Sequence, residues 1–160
     1  MKNTLYLISN EKITQNNKTF FCDNLDMKST PEGLNRYFEV NIIARKSKKD
    51  RLQRINLQTI KTFSNIFSYT YEIMRSSKNK NSKFILISLT PYTFIAGICL
   101  RLLGKRPFLY LRSNGYDEYK IILGIFGKLI YHFMFTLISN ISLLISCREH
   151  LLMGKNGKVV

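Results

Sequence analysis

Cysteine is scarce in this sequence: Cys22, Cys99 and Cys147 are the only three, widely spaced, with no CxxC or Cys/His pairing among them. An odd, scattered set excludes a disulfide-stapled scaffold and a structural zinc site, and it points to a reducing compartment. Acidic residues are also few, 10 against 25 Lys and Arg, which leaves a formal net charge of +15. The apolar run at residues 5–9 gives way to Asn10 and Glu11 and is too short for a signal-peptide core, so a cytoplasmic start is expected. Glycine-rich phosphate signatures (GxGxxG, GxxxxGK followed by Ser or Thr) are missing from strand-to-helix positions, as are HExxH and GxSxG. Their absence weighs against dinucleotide dehydrogenases, P-loop NTPases, zinc proteases and lipases. His132 stands alone in an apolar segment, so no metal is expected.

What is present suffices for one packed domain: 160 residues, 45% hydrophobic and 12% aromatic. The positive balance suits anionic lipid, nucleic acid or a phosphorylated ligand. Abundant Lys, Asn and Ile also arise on solvated faces without selection for binding, so charge alone does not choose among these.

Short continuous apolar runs at residues 5–9, 39–44, 84–89, 107–111 and 141–145 read as strands buried on both faces. Between them, helical spacing predicts a helix over 55–74, another over 90–104 opened by Thr90 and Pro91, and a long apolar one over 121–138, with helical turns at 146–153. Residues 29–32 read as a loop or short helix, and the basic run 45–51 as a surface loop. Gly154 to Gly157 breaks the chain, and residues 158–160 start a further strand, as if a doubly wound sheet were to continue; a truncated chain is expected. The alternation predicts an α/β class, a Rossmann-like parallel sheet with helices on both faces.

In such sheets ligands sit beyond the carboxyl ends of the strands. Three polar clusters occupy those positions: Ser9-Asn10-Glu11, the segment 88–92 with Thr90 and Tyr92, and Arg112-Ser113-Asn114-Gly115-Tyr116-Asp117-Glu118. The last is densest in chemistry. Arg112 can hold a phosphate or carboxylate bidentately, Asn114-Gly115 allows close backbone approach, and Asp117 or Glu118 can accept sugar hydroxyls. Its bland alternative is a tight turn with solvated charges and a helix-capping Asp117. Cys147, Arg148, Glu149 and His150 read as packing plus solvation, not a nucleophile pair.

The segment 121–145 approaches bilayer-spanning length, but Lys128, His132, Ser139, Asn140 and Ser142 interrupt it. A helix, a turn at Ser139-Asn140 and a strand account for it. Its exposed face, with Lys120 and Lys128, suits attachment to an anionic membrane surface instead.

The stretches FILISLTPYTFIAGICLRLLGKRPFLYLRSNGYDEY and NISLLISCREHLLMGKNGKVV resemble the N-terminal domain of a GT-B glycosyltransferase of the group 1 type, with Ser146 at the family's strand-end serine. The resemblance covers most of the chain and implies two Rossmann-like domains facing a cleft. Residues 1–160 would be the acceptor-side domain, and the C-terminal domain that binds the nucleotide-sugar would be absent, so the chain alone is not expected to complete the reaction. Ser9-Asn10-Glu11 replaces the family's Gly-rich turn, and the Arg112-Ser113 region replaces its histidine. The implied function is sugar transfer from a nucleotide-sugar, as co-substrate and without a further cofactor, to a saccharide or lipid-linked acceptor of the cell envelope. Arg112, Ser113, Asn114, Gly115, Asp117 and Glu118 would line the acceptor side, Arg148 would face the donor phosphate, and Ser9, Asn10, Thr90 and Tyr92 would form secondary strand-end loops. The enzyme would be cytoplasmic, peripheral on the inner membrane face, with no nucleic-acid partner. The alternative is a basic membrane-associated or nucleic-acid-binding α/β module without catalysis; a nucleic-acid binder would show a steep salt dependence.

Overall fold

The computed structural model describes residues 2–160. The chain divides into two compact units, Met1–Phe84 and Ile85–Val160.

In the first unit, β1 (Thr4–Asn16), β2 (Thr19–Cys22), α1 (Asp26–Leu34), β3 (Glu39–Lys46), β4 (Gln53–Ile55), β5 (Thr59–Phe63) and α2 (Ile66–Ser77) follow one another. β3 lies parallel to β1, in register from Thr4↔Glu39, and β5 parallel to β3, from Asn41↔Thr59. Leu7, Ile8, Ile42, Ile43, Tyr69 and Ile73 fill the interior.

Three expectations change here. β1 does not stop at Ser9: Ile8 pairs with Ile43 and Lys12 with Arg45, so residues 9–11 bulge out opposite Ala44 alone, and the strand resumes. Ser9 and Asn10 are therefore inside a bulged strand, not in a strand-end loop. Beyond the bulge, Asn17 turns the chain at φ 55°, which asparagine tolerates, and β2 pairs antiparallel with the tail of β1 and with β4. The sheet is thus mixed, not purely parallel, and Arg45 and Lys46 belong to β3, not to a loop.

The expected helix over 55–74 is instead β5 followed by a shorter helix. Apolar residues at 55, 60 and 63 satisfy a helical period, but Thr59 and Thr62 are β-branched and Ile60 is drawn into the sheet beside Ile42. α2 starts only at Asn65, whose Oδ1 accepts from the Ser68 N–H at 2.8 Å. Its apolar stripe points outward: Phe67 is 85% exposed and Tyr71 67%, whereas Tyr69, Glu72, Ile73 and Ser76 face inward. Glu72 is held by Lys61 Nζ at 2.6 Å and by the Ser76 hydroxyl at 3.3 Å.

The second unit starts within β6 (Lys83–Ile87) and continues through α3 (Pro91–Leu102), β7 (Phe108–Leu111), α4 (Gly115–Ile141), β8 (Leu143–Ser146) and β9 (Gly157–Val159). β6, β7, β8 and β9 lie side by side, all parallel. A 3₁₀ turn, Glu149–Leu152, stands where α-helical turns were expected. The fold is α/β and Rossmann-like, with a mostly parallel mixed sheet.

α4 is not the rod its sequence describes. It starts at Gly115, earlier than expected, and Gly124 breaks it at φ 64°, ψ −147°, a region essentially reserved for glycine. In a continuous helix Tyr116 and Tyr131 would stand about 22 Å apart at 1.5 Å per residue. Their ring centroids are 4.8 Å apart. Residues 115–123 therefore fold back on residues 125–141 as a helical hairpin. The arms close at Gly127, where any Cβ would overlap the Tyr119 carbonyl. At the root Tyr116, Tyr119, Tyr131 and Phe135 pack ring against ring, and the Tyr116 hydroxyl meets His132 Nδ1 at 2.8 Å.

Candidate functional site

The carboxyl ends of β6, β7 and β8 are neighbours because their strands are paired in register. Past β6, Ser88 adopts a left-handed φ of 60°, uncommon for a residue with a Cβ and often found where backbone strain serves a site. It is pinned on three sides: its N–H donates to the Tyr110 carbonyl at 2.9 Å, its carbonyl accepts from Thr93 Oγ1 at 2.7 Å, and its Oγ accepts from Arg112 Nε at 3.3 Å. Thr90 and Thr93 then form a reciprocal capping box, with Pro91 in the first turn of α3.

Past β7, Arg112 is half-buried, and Asn114 caps α4 by accepting from the Tyr116 N–H at 3.2 Å while its Nδ2 donates to Asp117 Oδ2 at 2.6 Å. Gly115 has no room for a side chain because the Tyr131 ring occupies that space. Past β8, the Ser146 hydroxyl donates to the Arg148 carbonyl at 2.7 Å, and the Cys147 thiol lies 3.4 Å from the Arg112 carbonyl.

The outcome is a small crevice bordered by Ser88, Thr90, Arg112, Ser113, Gly115, Glu118 and Tyr131. Of the expected site residues it unites Thr90, Arg112, Ser113, Gly115 and Glu118. Asn114 borders an adjoining recess with Ser113, Gly115 and Tyr116. Asp117 is engaged with Asn114 in the first turn of α4, and neither Tyr92 nor Arg148 borders the crevice; Arg148 is exposed at the start of the 3₁₀ turn. Ser9 and Asn10 belong to the first unit, where Asn10 Oδ1 accepts from Arg45 Nη1 at 3.3 Å and the Ser9 carbonyl accepts from the Tyr69 hydroxyl at 3.1 Å.

One member was not legible beforehand: Tyr131 reaches the crevice only because α4 reverses. Ser88 lies in the strand-end segment 88–92 that the sequence pointed to, though nothing in the sequence signals its left-handed backbone. Burial, reinforced by Tyr116, Glu118 and Tyr119, pushes the Tyr131 hydroxyl well above its ordinary titration range, so it stays a neutral hydrogen-bonding group. One guanidinium, one carboxylate and several hydroxyls converge there, a set that suits a hydroxyl-rich or anionic ligand. Among the described residues no group of three or more His, Cys, Asp or Glu could hold a metal ion.

A larger open cleft of about 590 Å³ runs along the starts of β8 and β9, lined by Arg106, Asn140, Ser142, Lys155 and Lys158 among others. It is at the strand ends opposite to those where open α/β sheets place their ligands.

No protein-family model matches the sequence, and no curated protein matches it. Among solved structures, UDP-N-acetylglucosamine 2-epimerase from Rickettsia bellii is similar, with a TM-score of 0.52 and 9% identity over 96% of this chain and 41% of the epimerase. At that identity the likeness is one of fold, a GT-B-like Rossmann arrangement, and the chain spans well under half of the epimerase's length. That neighbour is, by its name, an enzyme acting on a sugar nucleotide.

Proposed function

We propose that this chain is the acceptor-holding half of a glycosyltransferase, which moves a sugar from a nucleotide-sugar to a saccharide or glycolipid acceptor of the cell envelope. The observation that carries the reading is the crevice at the joined ends of β6 and β7, where Arg112 is oriented by the strained Ser88 and flanked by Glu118 and Ser113. Sugar hydroxyls pair with such carboxylate and hydroxyl groups, and Arg112 holds an acidic or phosphorylated portion of the acceptor. The GT-B-like fold of a sugar-nucleotide enzyme supports it at the level of architecture. Transfer itself requires a nucleotide-sugar-binding domain working with this chain. Arg148, exposed past β8, is proposed to meet the donor phosphate when that domain is in place.

Amide chemical shifts of the whole chain, titrated with acidic and neutral oligosaccharides and with a UDP-sugar, test this. Oligosaccharides are expected to move Ser88, Thr90 and residues 112–118, with Arg112→Ala weakening binding about tenfold, as loss of one charged hydrogen bond of roughly 1.5 kcal/mol implies. Shifts confined to other regions, or none, would remove the acceptor site.

A further inference from the structure

We propose that the hairpin of α4 is a membrane-docking element whose tip, residues 121–126, inserts into the headgroup–acyl boundary of an anionic bilayer. The inference stands on the hairpin alone and does not need the glycosyl-transfer reading.

Beyond the aromatic root, the tip has no covering. Ile121 is 85% exposed, Ile122 72%, Leu123 52%, Ile125 70% and Phe126 73%. Both arms carry this surface, Ile121, Ile122 and Leu123 before the reversal at Gly124 and Ile125 and Phe126 after it, so exposed apolar side chains stand on two arms and not along a single helical stripe. A medium that surrounds the tip removes all of these side chains from water.

Charge complementarity names that medium. Lys120 and Lys128 are exposed, each four residues from Gly124, one on either arm, and the apolar exposure continues along the second arm at Leu129, Ile130 and Phe133. No Asp or Glu occurs from residue 119 to residue 148, within a chain of net charge +15. Lysines at a headgroup–acyl boundary extend their ammonium groups to anionic headgroups while their stems remain with the apolar layer.

The hairpin's reach fits as well. Phe94 packs against Phe133 and Gly97 faces Ile138, so the start of α3 is level with about residue 130. The six residues from there to Gly124 rise about 9 Å above α3. Amphipathic elements lying in a membrane interface bury their apolar portions about 5–10 Å deep. Gly115–Ile141 is long and apolar enough to cross a membrane by length and composition, but as folded it is doubled back and buries Tyr131, Met134, Phe135 and Ile138, so it presents a tip and not a continuous rod. The hairpin springs from Asn114, so its root lies beside the crevice at Arg112, and docking would bring that crevice toward lipid-linked saccharides.

The chain contains no tryptophan, so Phe126→Trp supplies a single fluorescent reporter at the tip. The full chain is mixed with vesicles of phosphatidylcholine alone and of phosphatidylcholine with phosphatidylglycerol. We expect a blue shift and co-flotation with the anionic vesicles only, reversed by high salt. Ile122→Glu/Phe126→Glu should abolish flotation with unchanged circular dichroism, and Lys120→Gln or Lys128→Gln should each weaken it about fivefold. Flotation that persists in the glutamate variant, or an unshifted reporter on anionic vesicles, overturns the proposal. So does a dimer in lipid-free solution that the glutamate variant dissolves while vesicle binding is absent, since the tip would then be an interface between two copies.

Discussion

Helix α2 and the tip of α4 both turn large apolar side chains to solvent, yet they do so in different geometries. On α2, Phe67, Tyr71 and Met74 recur at four and three residues and form one stripe, while the opposite face is anchored by the buried Glu72 and its Lys61 partner. One flat neighbour can cover that stripe. At the tip of α4 both arms of the hairpin are exposed, and Ile121, Ile122, Leu123, Ile125 and Phe126 are each more than half accessible to solvent. The arrangement of exposed apolar surface, one stripe against two arms, distinguishes the two elements, not its amount.

That contrast can be broken most severely at Gly127. Gly127→Leu puts a branched side chain into the Tyr119 carbonyl and should separate the arms at a cost of about 3 kcal/mol; denaturant unfolding would measure it, with loss of the near-ultraviolet tyrosine signal. Gly124→Ala forces a side chain into a backbone region reserved for glycine and is expected to cost about 1–3 kcal/mol. On β5, Lys61→Met leaves the buried Glu72 carboxylate of α2 without its nearest cation. About 1.5 kcal/mol is expected, at the low end for a charged hydrogen bond because Lys61 is itself partly exposed.

Alkaline titration sharpens the comparison, since the hairpin root is built of tyrosines. Burial raises Tyr116, Tyr119 and Tyr131 above the ordinary value of 10.0. A folded-state value above the unfolded one means that the stabilisation is whole below pH 10 and is lost as pH climbs beyond it. Protection of residues 115–141 against hydrogen exchange, relative to the intrinsic rate at each pH, should therefore fall selectively above pH 10, and Tyr131→Phe should blunt the effect; an equal loss of protection across both units would show that the root is not the cause. The smallest effect is expected for Phe67→Ser on the outward stripe, within about 0.5 kcal/mol in a thermal melt.

Sequence alone disclosed the α/β class, because the runs that became β3, β6, β7 and β8 are continuous and too short for helices. α3 was legible from Thr90, Pro91 and Gly104, which are local capping signals and need no tertiary context. The failures have a common physical origin in long-range pairing. Residues 55–63 fit a helical period until β2 takes Ile55 and β3 selects the extended form of residues 59–63. Residues 12–16 look polar because their β2 partner is unknown. The outward turn of Phe67 and Tyr71 defeats periodicity outright, since the buried face of α2 includes Glu72 and Ser76. At the site, the strand-end rule located Arg112, Ser113, Gly115 and Glu118, whereas Asn114 and Asp117 spend their side chains on the helix start. Tyr131 escaped because nothing in LIYHFMF announces that a glycine seven positions earlier reverses the helix.

The single glycine at 124 also sets the shape of α4. Straightened, the 27 residues of α4 would extend about 40 Å, more than the roughly 30 Å of hydrocarbon in a bilayer. Doubled back, the same residues offer only a blunt oily knuckle, which under the proposed docking would enter one leaflet. Whether α4 is a rod of bilayer-crossing length or a doubled knuckle thus turns on one α-carbon that carries a hydrogen where every other amino acid carries a side chain.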